Sequence, residues 1–186
     1  MMEMSSRLIL NPKNFEITIN RLCFELIENH DDFSQSVIIG LQPRGIYLSN
    51  RISSQLRHFL PGKEILTGNL DITFFRDDFR RRENVIVPSA TQIDFIIENK
   101  KVILVDDVLY TGRTIRAALD AILAFGRPSK VELLTLINRK FSRHVPIEPN
   151  YVGKQIDTIM SDKVKVSWQE TDGKDEVWLF TKEKEE

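Results

Sequence analysis

Residues 102–114 read VILVDDVLYTGRT: four consecutive apolar residues, two adjacent aspartates and, after three intervening residues, a threonine-glycine turn. An unbroken apolar run of this length reads as a strand buried on both faces, as in a parallel sheet covered by helices. Neighbouring carboxylates repel each other, so placing Asp106 and Asp107 together at the end of such a strand implies something for them to bind.

The flanks extend the pattern. After the turn, Ile115, Ala118, Leu119, Ile122 and Leu123 recur at helical spacing, and Gly126 and Pro128 end that helix. VELLTLI at 131–137 is the next buried strand. Upstream, SVIIGL at 36–41 is another, followed by helical positions Ile46, Leu48, Ile52, Leu56 and Phe59 and a stop at Pro61-Gly62. Phe15, Ile19, Leu22, Cys23, Leu26 and Ile27 mark an amphipathic helix over 14–28, and a further strand is expected within 64–75. Strands alternating with helices give an α/β class with a mainly parallel twisted sheet flanked by helices.

Two stretches differ. RDDFRRRENVIVPSATQ at 76–92 has no clear period and is expected to be a long loop of the kind that forms a lid. Near the C-terminus Val164, Val166 and Trp168 alternate with polar residues, Asp172-Gly173 offers a turn, and Val177 and Leu179 alternate again, which predicts a β-hairpin.

With 186 residues the chain suits one domain, 1–186. A composition 41% apolar and 28% charged, with a net charge of -1, excludes wholesale disorder and a uniformly basic nucleic-acid binder. Cys23 is the only cysteine, so no intramolecular disulfide forms, and its apolar neighbours predict a buried thiol. No apolar stretch approaches the ~20 residues of a membrane span, and the expectation is a cytoplasmic protein without membrane partners.

Ligands of doubly wound sheets bind beyond the carboxyl ends of the strands. At one such end, Tyr110-Thr111-Gly112-Arg113-Thr114 brings amide N–H groups and two hydroxyls to a helix N-terminus, a phosphate site. Asp106 and Asp107 lie near enough to meet polyol hydroxyls of the same ligand, and a ribose 5-phosphate fits the spacing. Singly, such residues solvate strand ends or cap helices; as one contiguous unit they point to one ligand. At the other end, Gly40-Leu41-Gln42-Pro43-Arg44-Gly45 delivers a guanidinium suited to phosphate or diphosphate, although Pro43 and Gly45 are also ordinary turn residues. There is no G-x-x-x-x-G-K-[ST] and no G-x-G-x-x-G, which disfavours P-loop enzymes and dinucleotide dehydrogenases. His30, His58 and His144 lack ligand spacing, and a single cysteine offers no zinc site.

VILVDDVLYTGRT resembles the 5-phosphoribosyl-1-diphosphate (PRPP) motif of type I phosphoribosyltransferases. GNLDITFFRDD at 68–78, RTIRAALDAILAFGRPSKVEL at 113–133 and YVGK at 151–154 extend a resemblance to the PyrR family of bifunctional pyrimidine operon regulators and uracil phosphoribosyltransferases. The resemblance implies a core at about 14–138, a C-terminal hood at about 139–180 that includes the hairpin, and a frayed charged end at 181–186. Val108, Leu109 and the Tyr110–Thr114 cradle would bind PRPP, and Asp106 and Asp107 the ribose hydroxyls, directly or through Mg²⁺ and water. Pro43, Arg44 and Gly45 would form the diphosphate loop, often with an unusual peptide conformation, with Arg76 and Asp77 in the lid. Arg44, Asp106 and Asp107 would carry the catalysis. The base would sit near Arg139, Tyr151, Val152 and Val164 under the hood.

The implied reaction is transfer of 5-phosphoribosyl from PRPP to uracil, giving UMP and diphosphate, by a homodimer or larger homo-oligomer. The alternatives are a UMP- or PRPP-sensing RNA attenuator and a transferase acting on another base. After residue 137 the family pattern D-R-G-H-R-E-L-P-I-R becomes NRKFSRHVPIE at 138–148: Asn138 replaces aspartate, Lys140 glycine and Glu148 arginine, with one residue inserted. A carboxylate at 148 opposes phosphate binding and weakens the case for RNA, leaving Arg139, Lys140, Arg143 and Arg80-Arg81-Arg82 as a residual basic patch.

Overall fold

Apolar runs and amphipathic stretches bury each other in two sheets, and the computed structural model describes them over residues 4–75 and 90–182. In chain order they are β1 (Met4–Leu10), α1 (Pro12–His30), β2 (Ser36–Leu41), α2 (Gly45–Phe59), β3 (Thr67–Leu70), a 3-10 turn (Thr73–Phe75), β4 (Lys101–Leu109), α3 (Arg113–Ile122), β5 (Lys130–Lys140), β6 (Tyr151–Asp157), β7 (Lys163–Ser167), α4 (Gln169–Asp172) and β8 (Glu176–Lys182).

The large sheet has the order β3-β2-β4-β5-β6, and every pair in it is parallel. Its strands are buried on both faces, which is why they read as continuous apolar runs. On β4, Ile103 and Val105 pack with α1 and α2, whereas Val102 and Leu104 pack with α3. Leu22, Leu26, Ile52 and Leu56 are fully buried under the first face, each contributing roughly 1.5–3 kcal/mol of transfer free energy.

Helix α1 starts where Asn11 Oδ1 accepts the amide of Asn14 at 2.8 Å and Pro12 supplies a preset φ. The chain goes from β2 to β3 on one side and to β4 on the other, with α2 and α3 on opposite faces of the sheet. The switch point therefore lies between the carboxyl ends of β2 and β4, where the loops at 42–45 and 110–114 sit.

The small sheet is antiparallel, in the order β1-β8-β7. Its β7–β8 half is the expected hairpin, with Val166 opposite Val177, but α4 occupies the connection. Its third strand, β1, comes from the N-terminal segment, which carried no strand expectation. Beyond residue 138, β6 adds to the large sheet alongside β5, so the strands do not divide at the boundary expected between core and hood. Trp168, fully buried, packs edge-on against Phe15 of α1 at 5.2 Å between centroids, and Arg51 of α2 ion-pairs with Glu170 and Asp175. These contacts seat the small sheet on the large one.

Of the loop expected at 76–92, residues 76–89 lie outside the described residues, with Arg76, Asp77 and Arg80-Arg81-Arg82 among them. Its end is tied to the site side of the sheet: Gln92 and Asn69 exchange backbone hydrogen bonds of 2.8 Å, and Gln42 Nε2 donates to Ala90 O at 3.1 Å.

Candidate active site

The alternation that sends Ile103 and Val105 toward α2 carries Asp107 to the same side, where Arg44 waits at the N-terminal end of α2. Arg44 Nε donates to Asp107 Oδ2 at 2.9 Å, and its Nη2 donates to the Val166 carbonyl of β7. One guanidinium thus joins the end of β4 to the hood. Asp106 is turned otherwise and accepts the Asp107 amide on Oδ1 at 3.0 Å. Both aspartates are more than nine-tenths buried. Burial pushes the Asp107 carboxyl up, with the Arg44 hydrogen bond and charge pulling against it.

The Gln42–Pro43 peptide is cis, an instance of the unusual conformation implied for this loop. Gly45 is required by proximity: a Cβ there would lie 2.3 Å from Val105 O and 3.0 Å from Asp106 Cα. Arg44 and the aspartates can meet because α2 begins in contact with the β4 backbone.

On the other side of the switch point, Gly112 is the N-cap of α3 at φ 85, with no side-chain cap bond. The positive φ favours glycine, and a Cβ would also lie 2.7 Å from Val145 Cγ2. Thr111 and Thr114 are half-buried beside it. Two helix N-termini, those of α2 and α3, therefore flank the aspartate pair, and each offers amides and a positive dipole end to an anion.

A cavity of about 240 Å³ lies between the sheets, lined by Arg44, Asp107, Val108, Val164, Lys165 and Val166. Val164 is thus brought to the aspartates. Tyr151 and Val152 are not: they lie on edge strand β6, in register with Leu134 and Thr135 and two strands away from β4. Tyr151 points its hydroxyl to Glu132 Oε2 and His30 Nε2, both at 3.0 Å. The Val152 carbonyl accepts Arg21 Nη2 at 2.8 Å. Parallel entry of β6 beside β5 starts this strand deep in the sheet, and that placement was invisible in the motif YVGK.

Arg139 is also committed elsewhere. Its guanidinium stacks 3.8 Å from the Tyr110 ring centroid and donates to Thr158 Oγ1, Ile159 O and Asp162 O at 3.0, 3.0 and 3.1 Å. Lys165 was missed by sequence reasoning; its place in the alternating run Val164-Lys165-Val166 was its only signal.

Among the described residues no group of three or more His, Cys, Asp and Glu could enclose a metal. Two buried carboxylates fit Mg²⁺ of the kind that keeps its remaining coordination for water and substrate phosphates.

A parallel sheet with a crevice at its switch point, two helix N-termini and a buried acidic pair is an arrangement that suits a phosphoribosyltransferase. The family model described as Phosphoribosyl transferase domain matches residues 6–171. The fold alone is shared with the hypoxanthine phosphoribosyltransferase of Staphylococcus aureus (TM-score 0.68, 18% identity, covering 92% of this chain and 90% of that one). It is shared equally with HGPRT-ase of Leishmania tarentolae in complex with GMP (TM-score 0.70, 12% identity, 95% and 97%).

Sequence relatives are more specific. "Bifunctional protein PyrR" of Desulfosudis oleivorans is 44% identical over 97% of this chain and 99% of its own length. The proteins of that name from Microcystis aeruginosa (44%; 92% and 96%) and Bacillus cereus (39%; 94% and 97%) are similar to it too. The chain belongs to the PyrR family of phosphoribosyltransferases.

Proposed function

We propose that the chain transfers the 5-phosphoribosyl group of PRPP to uracil, in the crevice between β2, β4 and the hood. The observation that carries this reading is the Arg44–Asp107 ion pair of 2.9 Å set between two helix N-termini and opening on the hood cavity. On this reading each part of the substrate has its own place. The 5-phosphate goes to Tyr110–Thr114 at the start of α3, the ribose to Asp106 and Asp107, the diphosphate to Pro43–Gly45 at the start of α2, and the base to the cavity beside Val164.

In the reaction the bond from ribose C1 to the diphosphate oxygen breaks as a uracil nitrogen bonds to C1 and loses its proton. The ring takes on oxocarbenium character, so catalysis needs correctly placed charge and exclusion of water. Arg44, its Nε and Nη2 engaged by Asp107 and the Val166 carbonyl, faces the leaving diphosphate with the charge and remaining N–H groups of its guanidinium. The aspartates orient the ribose and offset the positive charge developing on it. Mg²⁺ arriving with PRPP would be held by Asp106 and Asp107, directly or through water, and would neutralise diphosphate charge. No side chain is assigned as a general base.

Diphosphate release with PRPP, Mg²⁺ and a panel of bases tests the reading. Uracil is expected to be the accepted base, and turnover with a purine alone would move the chain to the other-base alternative. Absence of release with every base, together with unchanged PRPP binding in Asp107→Asn, would refute it.

RNA recognition is a second reading, favoured by the name "Bifunctional protein PyrR" of relatives 39–44% identical. It predicts salt-sensitive binding to a structured pyrimidine-operon leader, strengthened by UMP. The 138–148 segment contributes less to it than its composition suggests, because the guanidinium groups of Arg139 and Arg143 are bonded inside the protein and Lys140 is left exposed. Equal, weak binding to unrelated RNAs would end this reading. A homo-oligomer in a cytoplasmic setting accompanies both, and sedimentation would count the subunits.

A further inference from the structure

The 138–148 segment is stitched to the loop at 110–114. Arg143 has a side chain only 16% exposed. Its Nη1 donates to the carbonyls of Tyr110, Arg139 (3.0 Å) and Leu109 (3.4 Å), its Nε to Ile147 O at 2.9 Å, and its Nη2 to Asn138 Oδ1. Its neighbours join the same loop. The His144 amide donates to Thr111 O at 2.9 Å, Ser142 Oγ donates to Tyr110 O at 3.4 Å, and Val145 packs on Gly112.

The geometry of the peptide unit gives these bonds a consequence. In a planar trans peptide the N–H points opposite to the C=O. Holding the Tyr110 carbonyl toward Arg143 therefore aims the Thr111 N–H the other way. Holding the Thr111 carbonyl toward the His144 amide does the same for the N–H of Gly112. Both amides belong to the cradle at the start of α3.

We propose that Arg143 is a positioning residue for PRPP, orienting the 5-phosphate cradle through the loop carbonyls without touching the phosphate. Five acceptors around one planar fork are a task for guanidinium, and a lysine would supply the charge without the fork. The inference rests on PRPP being the ligand of this loop, so its test reads PRPP binding separately from turnover.

Arg143→Gln and Arg143→Lys are compared with the wild type by calorimetric titration with PRPP and Mg²⁺, and by kinetics with uracil. Both variants are expected to weaken PRPP binding about tenfold or more, with the KM for uracil and kcat changed much less. Phe141→Ala, on the same turn but 82% exposed, should retain wild-type affinity. Wild-type PRPP affinity in both Arg143 variants would overturn the proposal. So would wild-type affinity in Arg143→Lys alone, since charge would then suffice, or equal weakening of PRPP and uracil with a collapsed melting temperature. If Arg143→Gln does not fold, Arg143→Lys decides. Weakened PRPP binding in a protein that turns over no base would uphold the proposal while removing the uracil reading. A wild type that does not bind PRPP would remove both.

Discussion

Asp107 shows how function and stability oppose each other at one side chain. Its carboxyl is buried and its pKa raised, so ionisation costs the free protein stability, and that cost grows as pH rises from the ordinary aspartate range through the raised value. Arg44 offsets only part of it. Asp107→Asn should therefore leave the melting temperature of the free protein at pH 7 unchanged or higher, while kcat/KM for PRPP falls about a hundredfold, roughly 3 kcal/mol. A melting curve and a PRPP titration check the two signs. Gly45→Ala should lose both properties at once. Its methyl would lie 2.3 Å from Val105 O, and overpacking of this kind costs about 1–3 kcal/mol while displacing Arg44 from Asp107. Sequence reasoning picked out Arg44, Asp106 and Asp107 because their chemistry is contiguous with glycine turns. Gly45 was legible as part of the diphosphate loop but not as the point where α2 touches the β4 backbone, since that approach joins positions some 60 apart in the chain.

Strands and helices became legible where burial is local. Parallel strands covered on both faces cannot hide their apolar runs, and α1, α2 and α3 display their faces at helical spacing. Pairings between distant segments were not legible. β1 has the sequence MSSRLIL, too polar at its start to announce a strand, and is ordered by lying alongside β8. Arg51 is another such case: nothing in the pattern of α2 singled it out, yet it grips Asp175 at 2.6 and 2.8 Å and Glu170 at 2.9 and 3.2 Å, with Trp168 and Phe15 rings beside it. The pairs are partly exposed, so Arg51→Ala should cost only about 1–2 kcal/mol. Its functional effect should be directional. With α4 untied from α2, β7 and its Val164 lose their seat beside the cavity, so the KM for uracil should rise more than that for PRPP. Hydrogen exchange should quicken over 168–182 and stay unchanged in β4.

The two ends of the sheet carry different burdens. At the carboxyl ends Arg44 and the two aspartates are gathered. At the amino ends a buried polar cluster holds four segments together. His30, closing α1, has Nδ1 2.8 Å from Ser36 Oγ at the start of β2 and Nε2 2.9 Å from Glu132 Oε2 of β5 and 3.0 Å from Tyr151 of β6. Lys130 Nζ lies 2.5 Å from Glu132 Oε1. The carboxylate favours an imidazolium, but burial, helped by the charges of Lys101 and Lys130, outweighs it and holds the His30 pKa below its ordinary 6.5. A histidine whose folded pKa is depressed binds its proton more readily when unfolded, so stability is lost as pH falls through the ordinary histidine range. Glu132, held below its ordinary 4.5 chiefly by hydrogen bonds from Lys130 and Tyr151 against the cost of burial, acts in the same direction at lower pH. The melting temperature should therefore drop between pH 7.5 and 5.5, before ordinary carboxylates titrate. His30→Gln should be less stable at pH 7.5, because the cluster loses hydrogen-bond geometry, but flatter across that window. A wild-type profile that is flat or rises toward pH 5.5 would show that Glu132 rather than burial governs His30, and that the four segments are joined by an ion pair instead of neutral hydrogen bonds.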